Sequence, residues 1–188
     1  MASEVHDDRL VNALRIAGWS IAAGLLLLPL VAMQFTAEVN WSVGDFLFAA
    51  MLFGLVGLML ELVVRASRSW FYRGGVAAAV AATFLLTWSN LAVGFIGSED
   101  NPANALFFAI PAVAILGSAL AGFRAAGMAW AMGVAALAQI AVPLAIMGLG
   151  LGDPVRIRPI EFPVATGIFA AIWLTSAALF RRAASGQG

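Results

Sequence analysis

Long apolar stretches separated by short polar segments run through the whole chain. A helix that spans a bilayer needs about 20 mostly apolar residues. Six stretches meet that length, namely residues 11–33, 43–64, 75–97, 103–123, 127–149 and 163–180. The pattern predicts an all-α integral membrane bundle of six transmembrane helices, forming a single domain over residues 11–180 with short cytoplasmic tails at 1–10 and 181–188.

The positions of the arginines predict how these helices are oriented. Cationic loops resist translocation across a membrane, so they tend to stay in the cytoplasm. Eight of the ten cationic residues fall on one side of the predicted topology: Arg9, Arg15, Arg65, Arg68, Arg73, Arg124, Arg181 and Arg182. Both termini are therefore predicted to be cytoplasmic.

Composition mainly excludes other classes of protein. The chain is 63% hydrophobic and only 11% charged, whereas a soluble domain has roughly 25% charged residues. Ten acidic residues balance ten basic ones, so no basic surplus favours nucleic acid, and we expect none as a partner. The chain has no Cys and only one His, His6. We therefore expect no metal site built from thiolates or several histidines, no cofactor and no enzymatic activity.

Acidic and amide residues gather at the predicted outer ends of the helices. Ser42 and Asp45 have the spacing of a capping box. Gly97 is predicted to end the third helix, and Asn101-Pro102 to begin the fourth. Alternatively, these oxygens bind a hard cation such as Ca²⁺ or Mg²⁺. The candidate ligands of that cation site are Glu38, Asp45, Glu99, Asp100 and Asn104.

Three helices carry a stripe of small or polar residues at helical spacing, which favours close contact between helices in a membrane. In helix one the stripe is Ala13, Ala17, Ser20 and Gly24. In helix two it is Ala50, Gly54, Gly57 and Glu61. In helix three it is Thr83, Thr87, Asn90, Gly94 and Gly97. The opposite face of helix three is predicted to contact lipid through Val80, Phe84, Trp88, Leu91 and Phe95.

Glu61 is an ionisable residue inside a predicted span, where a charge is costly unless it has a partner or water. Arg65, four residues on, predicts an intrahelical ion pair near the interface. The alternative is a proton or cation pathway, for which the candidate polar residues are Glu61, Asn90, Gln139, Asp45 and Thr87. Trp173, near the middle of helix six, needs a partner for its indole N–H if it is buried.

One motif imitates a catalytic signature. Residues 150–153, Gly-Leu-Gly-Asp, match the G-x-G-D pattern of intramembrane aspartyl proteases. Such enzymes need two aspartates that share a proton. Asp153 is followed by Pro154 in a predicted loop, and Asp45 is explained by capping. We assign no catalytic residue.

Three segments resemble a family of small polytopic bacterial inner-membrane proteins that has no assigned activity: residues 35–41, 45–46 and 97–104. The resemblance covers most of the chain. It implies a multi-pass protein of the bacterial cytoplasmic (inner) membrane, and it implies no catalytic residue or cofactor.

Two functions are compatible with these patterns. The favoured one is a non-catalytic membrane component that binds or supports another membrane protein, or that forms a homo-oligomer. The alternative is a small transporter or channel for a proton, a cation or a small solute. The lipid bilayer is an expected partner in both cases.

The predicted topology can be tested by labelling introduced cysteines, because the native chain has none. We expect cysteines at Ala37 and Ser98 to react with a membrane-impermeant thiol reagent in intact cells, and cysteines at Ser69 and Ser185 to react only after lysis. Labelling of Ser69 but not of Ser98 in intact cells would reverse the orientation.

Overall fold

The computed structural model describes residues 2–92, 94–96, 101–151 and 161–186, with side chains from residue 9 onward except those of residues 66, 161 and 162. Over these ranges the chain is helical and contains no strand. Six helices are long and apolar enough to cross a membrane. The all-α class and the six predicted spans are confirmed, and the architecture is that of a multi-pass membrane protein.

The helices differ from the predicted stretches mainly at their ends. They are α1 (Ala2–Ala32), α2 (Val43–Ala66), α3 (Trp70–Ala92), a 3₁₀ helix (Pro102–Phe108) that leads into α4 (Ala109–Leu120), α5 (Ala125–Gly148) and α6 (Glu161–Ser185). Backbone hydrogen bonding does not stop where an apolar pattern stops. The predicted tails are therefore largely helical, since α1 begins at Ala2 and α6 ends at Ser185.

The third helix ends earlier than predicted, because Gly94 follows it in a left-handed conformation. Gly94 has a φ of 65°, and its N–H donates to the carbonyl oxygen of Asn90 at 3.1 Å. Glycine adopts this conformation without steric cost. Gly94 therefore ends the helix, a role predicted for Gly97, which lies outside the described residues.

The chain divides into two compact units, Met1–Leu62 and Val63–Gly188, and the boundary falls inside α2. We call them unit 1 and unit 2. The predicted single domain over residues 11–180 stays a prediction.

Unit 1 consists of α1 and most of α2, which contact each other in an antiparallel register. Arg15 on α1 binds Glu61 on α2. One turn further along α1, the Trp19 ring lies so close to Gly57 that a Cβ atom at Gly57 would overlap it. Gly57 therefore serves as a contact residue between helices, as the stripe on helix two predicts.

Unit 2 has a continuous apolar core between α3, α4, α5 and α6, in which α5 packs against α4 and α6, and α6 packs against α3. Its largest fully buried side chains include Trp173, Phe107 and Phe180. The hydroxyl of Ser176 donates to the carbonyl oxygen of Gly75 at 2.7 Å, which joins α6 to α3. A Cβ atom at Gly117 of α4 would lie 2.8 Å from that of Ala131 on α5. The approach of α4 to α5 therefore requires a glycine.

The two predicted faces of helix three are only partly retained. Asn90 is buried and Leu91 is exposed, as predicted. Phe95 was predicted to contact lipid, but its ring packs against Phe107 and Phe169, with centroid distances of 4.8 and 5.9 Å. The prediction for Phe95 is wrong because the helix has already ended at Ala92, so helical spacing no longer sets the direction of that side chain.

Candidate functional site

The side chain of Asn104 organises the segment that follows α3. Its Oδ1 accepts hydrogen bonds from the backbone N–H groups of Phe95 and Ile96, both at 2.9 Å. Its Nδ2 donates to the carbonyl oxygen of Ile96 at 3.3 Å. Asn104 is 4% exposed. One buried amide thus satisfies a backbone stretch that has left the helix.

Asn101 fixes the start of the next helix beside Asn104. Its Oδ1 accepts from the N–H of Ala103 at 2.9 Å, which caps the 3₁₀ helix at Pro102 as predicted. Its carbonyl oxygen accepts from the N–H of Asn104 at 3.0 Å. The backbone of Asn104 is therefore held by Asn101 while its side chain holds the segment before it.

Asn90 joins this arrangement from α3. Its Nδ2 donates to the backbone carbonyl oxygen of Asn104 at 2.9 Å. The structure therefore brings together Asn90, a candidate of the predicted pathway, and Asn104, a candidate of the predicted cation site. Asn90 is 3% exposed, and its Oδ1 is buried without a hydrogen-bond partner among the described residues.

The geometry gives Asn104 a structural role at the position where the sequence offered a cation ligand. The bonds from Phe95 and Ile96 to its Oδ1 come from backbone N–H groups, whose partial positive charge opposes a cation at that oxygen. Glu99 and Asp100 lie outside the described residues. Among the residues that the structure does describe, no three His, Asp or Glu form a group that could hold a metal ion. The cation site stays a prediction.

Asp45 caps α2 as its spacing predicted. Its Oδ2 accepts from the backbone N–H of Ser42 at 2.7 Å and from the Ser42 hydroxyl at 2.8 Å. The N–H of Asp45 donates to the Ser42 hydroxyl oxygen at 3.3 Å. Glu38, also in unit 1, is exposed. Its N–H donates to the hydroxyl oxygen of Thr36 at 3.1 Å.

Glu61 has a partner on α1 that the sequence did not indicate. Its Oε1 accepts from the Nε of Arg15 at 2.6 Å, and the two side chains are 16% and 42% exposed. The pair with Arg65, four residues on along α2, stays a prediction. Arg15 lies 46 residues away in sequence, and no spacing rule connects it to Glu61.

Two further polar side chains lie deep in unit 2. Gln139 on α5 is 1% exposed and Trp173 on α6 is 0% exposed. The Oε1 of Gln139 and the Nε1 of Trp173 have no hydrogen-bond partner within the described part of the chain. The sequence predicted that a buried Trp173 needs a partner, and none of the described residues provides one. Thr87, the remaining pathway candidate, is half-buried on α3, three residues before Asn90.

Tyr72 and Arg73 make structural hydrogen bonds that the sequence did not predict. The hydroxyl of Tyr72 donates to the carbonyl oxygen of Phe123 at 2.8 Å. The guanidinium of Arg73 donates to the carbonyl oxygens of Ser67 and Val64 at 2.7 and 2.9 Å. All three acceptors are backbone oxygens, which every residue has, so no sequence signal could have identified them.

Comparisons with known proteins assign the chain to no family: no family model matches it, and neither a curated protein nor a solved structure does. Its function must therefore be inferred from the chemistry of its own residues.

The role of Asn104 predicts a large difference between two alanine variants of the same segment. Asn104→Ala leaves the buried N–H group of Ile96 without an acceptor, at about 1–3 kcal/mol, and also that of the half-buried Phe95. Asn101→Ala removes one cap, which costs about 1 kcal/mol. We expect Asn104→Ala to lower the melting temperature in detergent clearly more than Asn101→Ala, and to speed hydrogen exchange at the amide of Ile96. Equal melting temperatures for the two variants would contradict the role assigned to Asn104.

Proposed function

We propose that this protein is a non-catalytic component of a bacterial inner membrane that binds or supports another membrane protein through α1. The observation that carries the proposal is an exposed stripe of small residues on that helix. This surface, the α1 stripe, consists of Ala13, Ala17, Ser20 and Gly24, all of which are exposed.

The α1 stripe lies on the side of the helix that faces away from α2. The contacts to α2 come from Arg15 and Trp19. The half-buried Ala22 and Leu26 and the buried Pro29 continue this face at helical spacing. With 3.6 residues per turn, the α1 stripe falls on the opposite side. A contact face predicted from the sequence is therefore left without a neighbour in unit 1.

Small residues at an exposed helix surface favour a protein neighbour over lipid. They leave a shallow groove in which a second helix backbone can approach closely, and a hydroxyl such as that of Ser20 can hydrogen-bond across the contact. A Cβ atom built at Gly24 would meet no atom within 4 Å. The groove is therefore open to a partner helix.

Burial also distinguishes α1 and α2 from the helices of unit 2. Of the 18 most apolar consecutive residues in α1, and likewise in α2, only 6% are buried, compared with 39% in α5. The charge of Glu61 is neutralised by Arg15 within unit 1. Unit 1 thus has an internal ion pair that joins its two helices, and most of its described side chains are exposed.

Site-specific photo-cross-linking in living cells tests the proposal. A photoreactive residue at Ala17, in the α1 stripe, should give a cross-linked species of defined mass that mass spectrometry can identify. The same residue at Leu25, which is exposed on the flank of α1, should give little or none. A species of twice the chain mass would identify a second copy as the partner, and any other mass would identify a different protein.

Gly24→Leu provides a control for that experiment. The new side chain meets open space in the chain itself, so the melting temperature of the purified protein should stay unchanged while the cross-link from Ala17 disappears. Equal cross-linking from Ala17 and Leu25, or a cross-link that survives Gly24→Leu, would count against α1 as the docking face.

A second function, transport of a small polar solute or ion, is favoured by one observation in unit 2. Asn90, Gln139 and Trp173 each bury a polar atom that has no partner among the described residues. Such groups are costly in an apolar environment and are commonly satisfied by water or by a polar solute. In this alternative the pathway depends on Asn90 and Gln139.

Flux through liposomes distinguishes the second function. If unit 2 conducts, the purified protein should carry protons, cations or small polar solutes under an imposed potential and pH gradient, and Gln139→Leu should abolish the flux. Gln34→Leu makes the same substitution at an exposed position of unit 1 and should leave the flux unchanged. Absence of flux from the native protein would exclude this alternative for the solutes tested.

A further inference from the structure

Unit 2 has an open cavity of about 770 Å³ where three parts of the chain meet. Ser67 lines it from the segment before α3, and Ala184 lines it from the end of α6. The turn between α4 and α5, together with the first residues of α5, completes the lining. The Tyr72 hydroxyl, which donates to the carbonyl oxygen of Phe123, holds this turn in place.

The same end of unit 2 is rich in arginine. The chain segments that line the cavity carry Arg68, Arg73, Arg124, Arg181 and Arg182. No Asp or Glu occurs in residues 63–96, 101–151 or 162–186. The chain segments that line the cavity therefore carry positive charge and no carboxylate, and such a surface attracts anions.

Arg124 is the arginine that lines the cavity. Two of the others have partners, because Arg73 donates to backbone carbonyls and Arg182 lies over the ring of Phe71. Arg124 is exposed, and its guanidinium makes no hydrogen bond or ion pair with the residues that the structure describes. The cavity therefore contains a cation that is available for a ligand.

Backbone donors lie beside that cation. Arg124 is the N-cap of α5, and no side chain caps the helix there. The first N–H groups of a helix have no partner within it, and Ala125, Ala126 and Gly127 all line the cavity. A guanidinium and several N–H donors around one open space form a suitable site for a phosphate.

We propose that this cavity binds the headgroup phosphate of an anionic phospholipid, with Arg124 as its counter-ion. The lipid assignment follows from the position of the cavity between two membrane spans, since one candidate span ends at Leu120 and the next begins at Ala125. Headgroups lie at this level of a bilayer. Leu120 and Phe123, which are 90% and 61% exposed beside the cavity, offer apolar surface to the acyl chains.

Native mass spectrometry of the purified full chain tests the proposal. Lipid binding is measured in neutral detergent micelles to which lipid is added. Phosphatidylglycerol is the anionic probe and phosphatidylcholine the zwitterionic comparison. Arg124→Gln should weaken phosphatidylglycerol binding by about tenfold, as expected for the loss of a hydrogen bond between charged groups. Arg68→Gln removes the same charge at the same end but outside the cavity lining, and should change binding by less than about twofold.

Ala126→Phe tests the cavity independently of the charge. Ala126 is exposed, so a phenyl ring there should fill the space, leave the fold intact and weaken binding as Arg124→Gln does. If Arg124→Gln and Arg68→Gln weaken phosphatidylglycerol binding equally, the binding reflects general charge attraction, and the proposed site is overturned. Equal binding of the two lipids, or unchanged binding in Ala126→Phe, would also overturn it.

Soluble glycerol phosphate distinguishes a lipid site from a phosphate site. If the lipid assignment holds, glycerol phosphate should displace phosphatidylglycerol only at far higher concentration, because it lacks acyl chains to contact Leu120 and Phe123. Displacement at equal concentration would overturn the lipid assignment.

Discussion

The structure depends on the need to bond every backbone N–H and C=O group within the chain, because hydrocarbon offers no substitute for water. Helices meet this need along each span. Where the chain leaves α3 at Gly94 and continues to the buried Ile96, helical bonding is lost, and the side chain of Asn104 provides the missing acceptor for Phe95 and Ile96. Asn90 then binds the carbonyl oxygen of Asn104 itself. A few amides thus allow a non-helical turn inside a largely apolar protein.

The sequence predicted local features well, because their physical causes lie within a few residues. The number of spans follows from apolar length, and the caps at Asp45 and Asn101 follow from side chains close to the N–H groups that they bind. The long-range contacts could not be predicted. Arg15, which binds Glu61, lies 46 residues away from it in sequence, and the bonds of Asn104 depend on the path that the chain takes after Gly94. The sequence therefore predicted which residues belong to the candidate site but not the contacts between them.

The two units are stabilised in different ways. Unit 2 has a core of large side chains, with Trp173 and Phe180 fully buried and the Ser176 hydroxyl bonded to the backbone of α3. The helices of unit 1 are joined by an ion pair and by Trp19 against Gly57, and most of the described side chains of the unit are exposed. Few packed side chains mean a small free energy for local opening. Unit 1 is therefore the part of the chain whose structure can gain most from a bound neighbour.

The 3₁₀ helix before α4 also changes how far its span reaches. A 3₁₀ helix rises about 2.0 Å per residue, whereas an α-helix rises about 1.5 Å. The span from Pro102 to Leu120, at 19 residues, is the shortest of the six. Entirely α-helical, it would extend about 28 Å, but with Pro102–Phe108 in the stretched form it extends about 32 Å. The hydrocarbon core of a bilayer is about 30 Å thick. The 3₁₀ helix therefore lets the shortest span cross the membrane without additional residues.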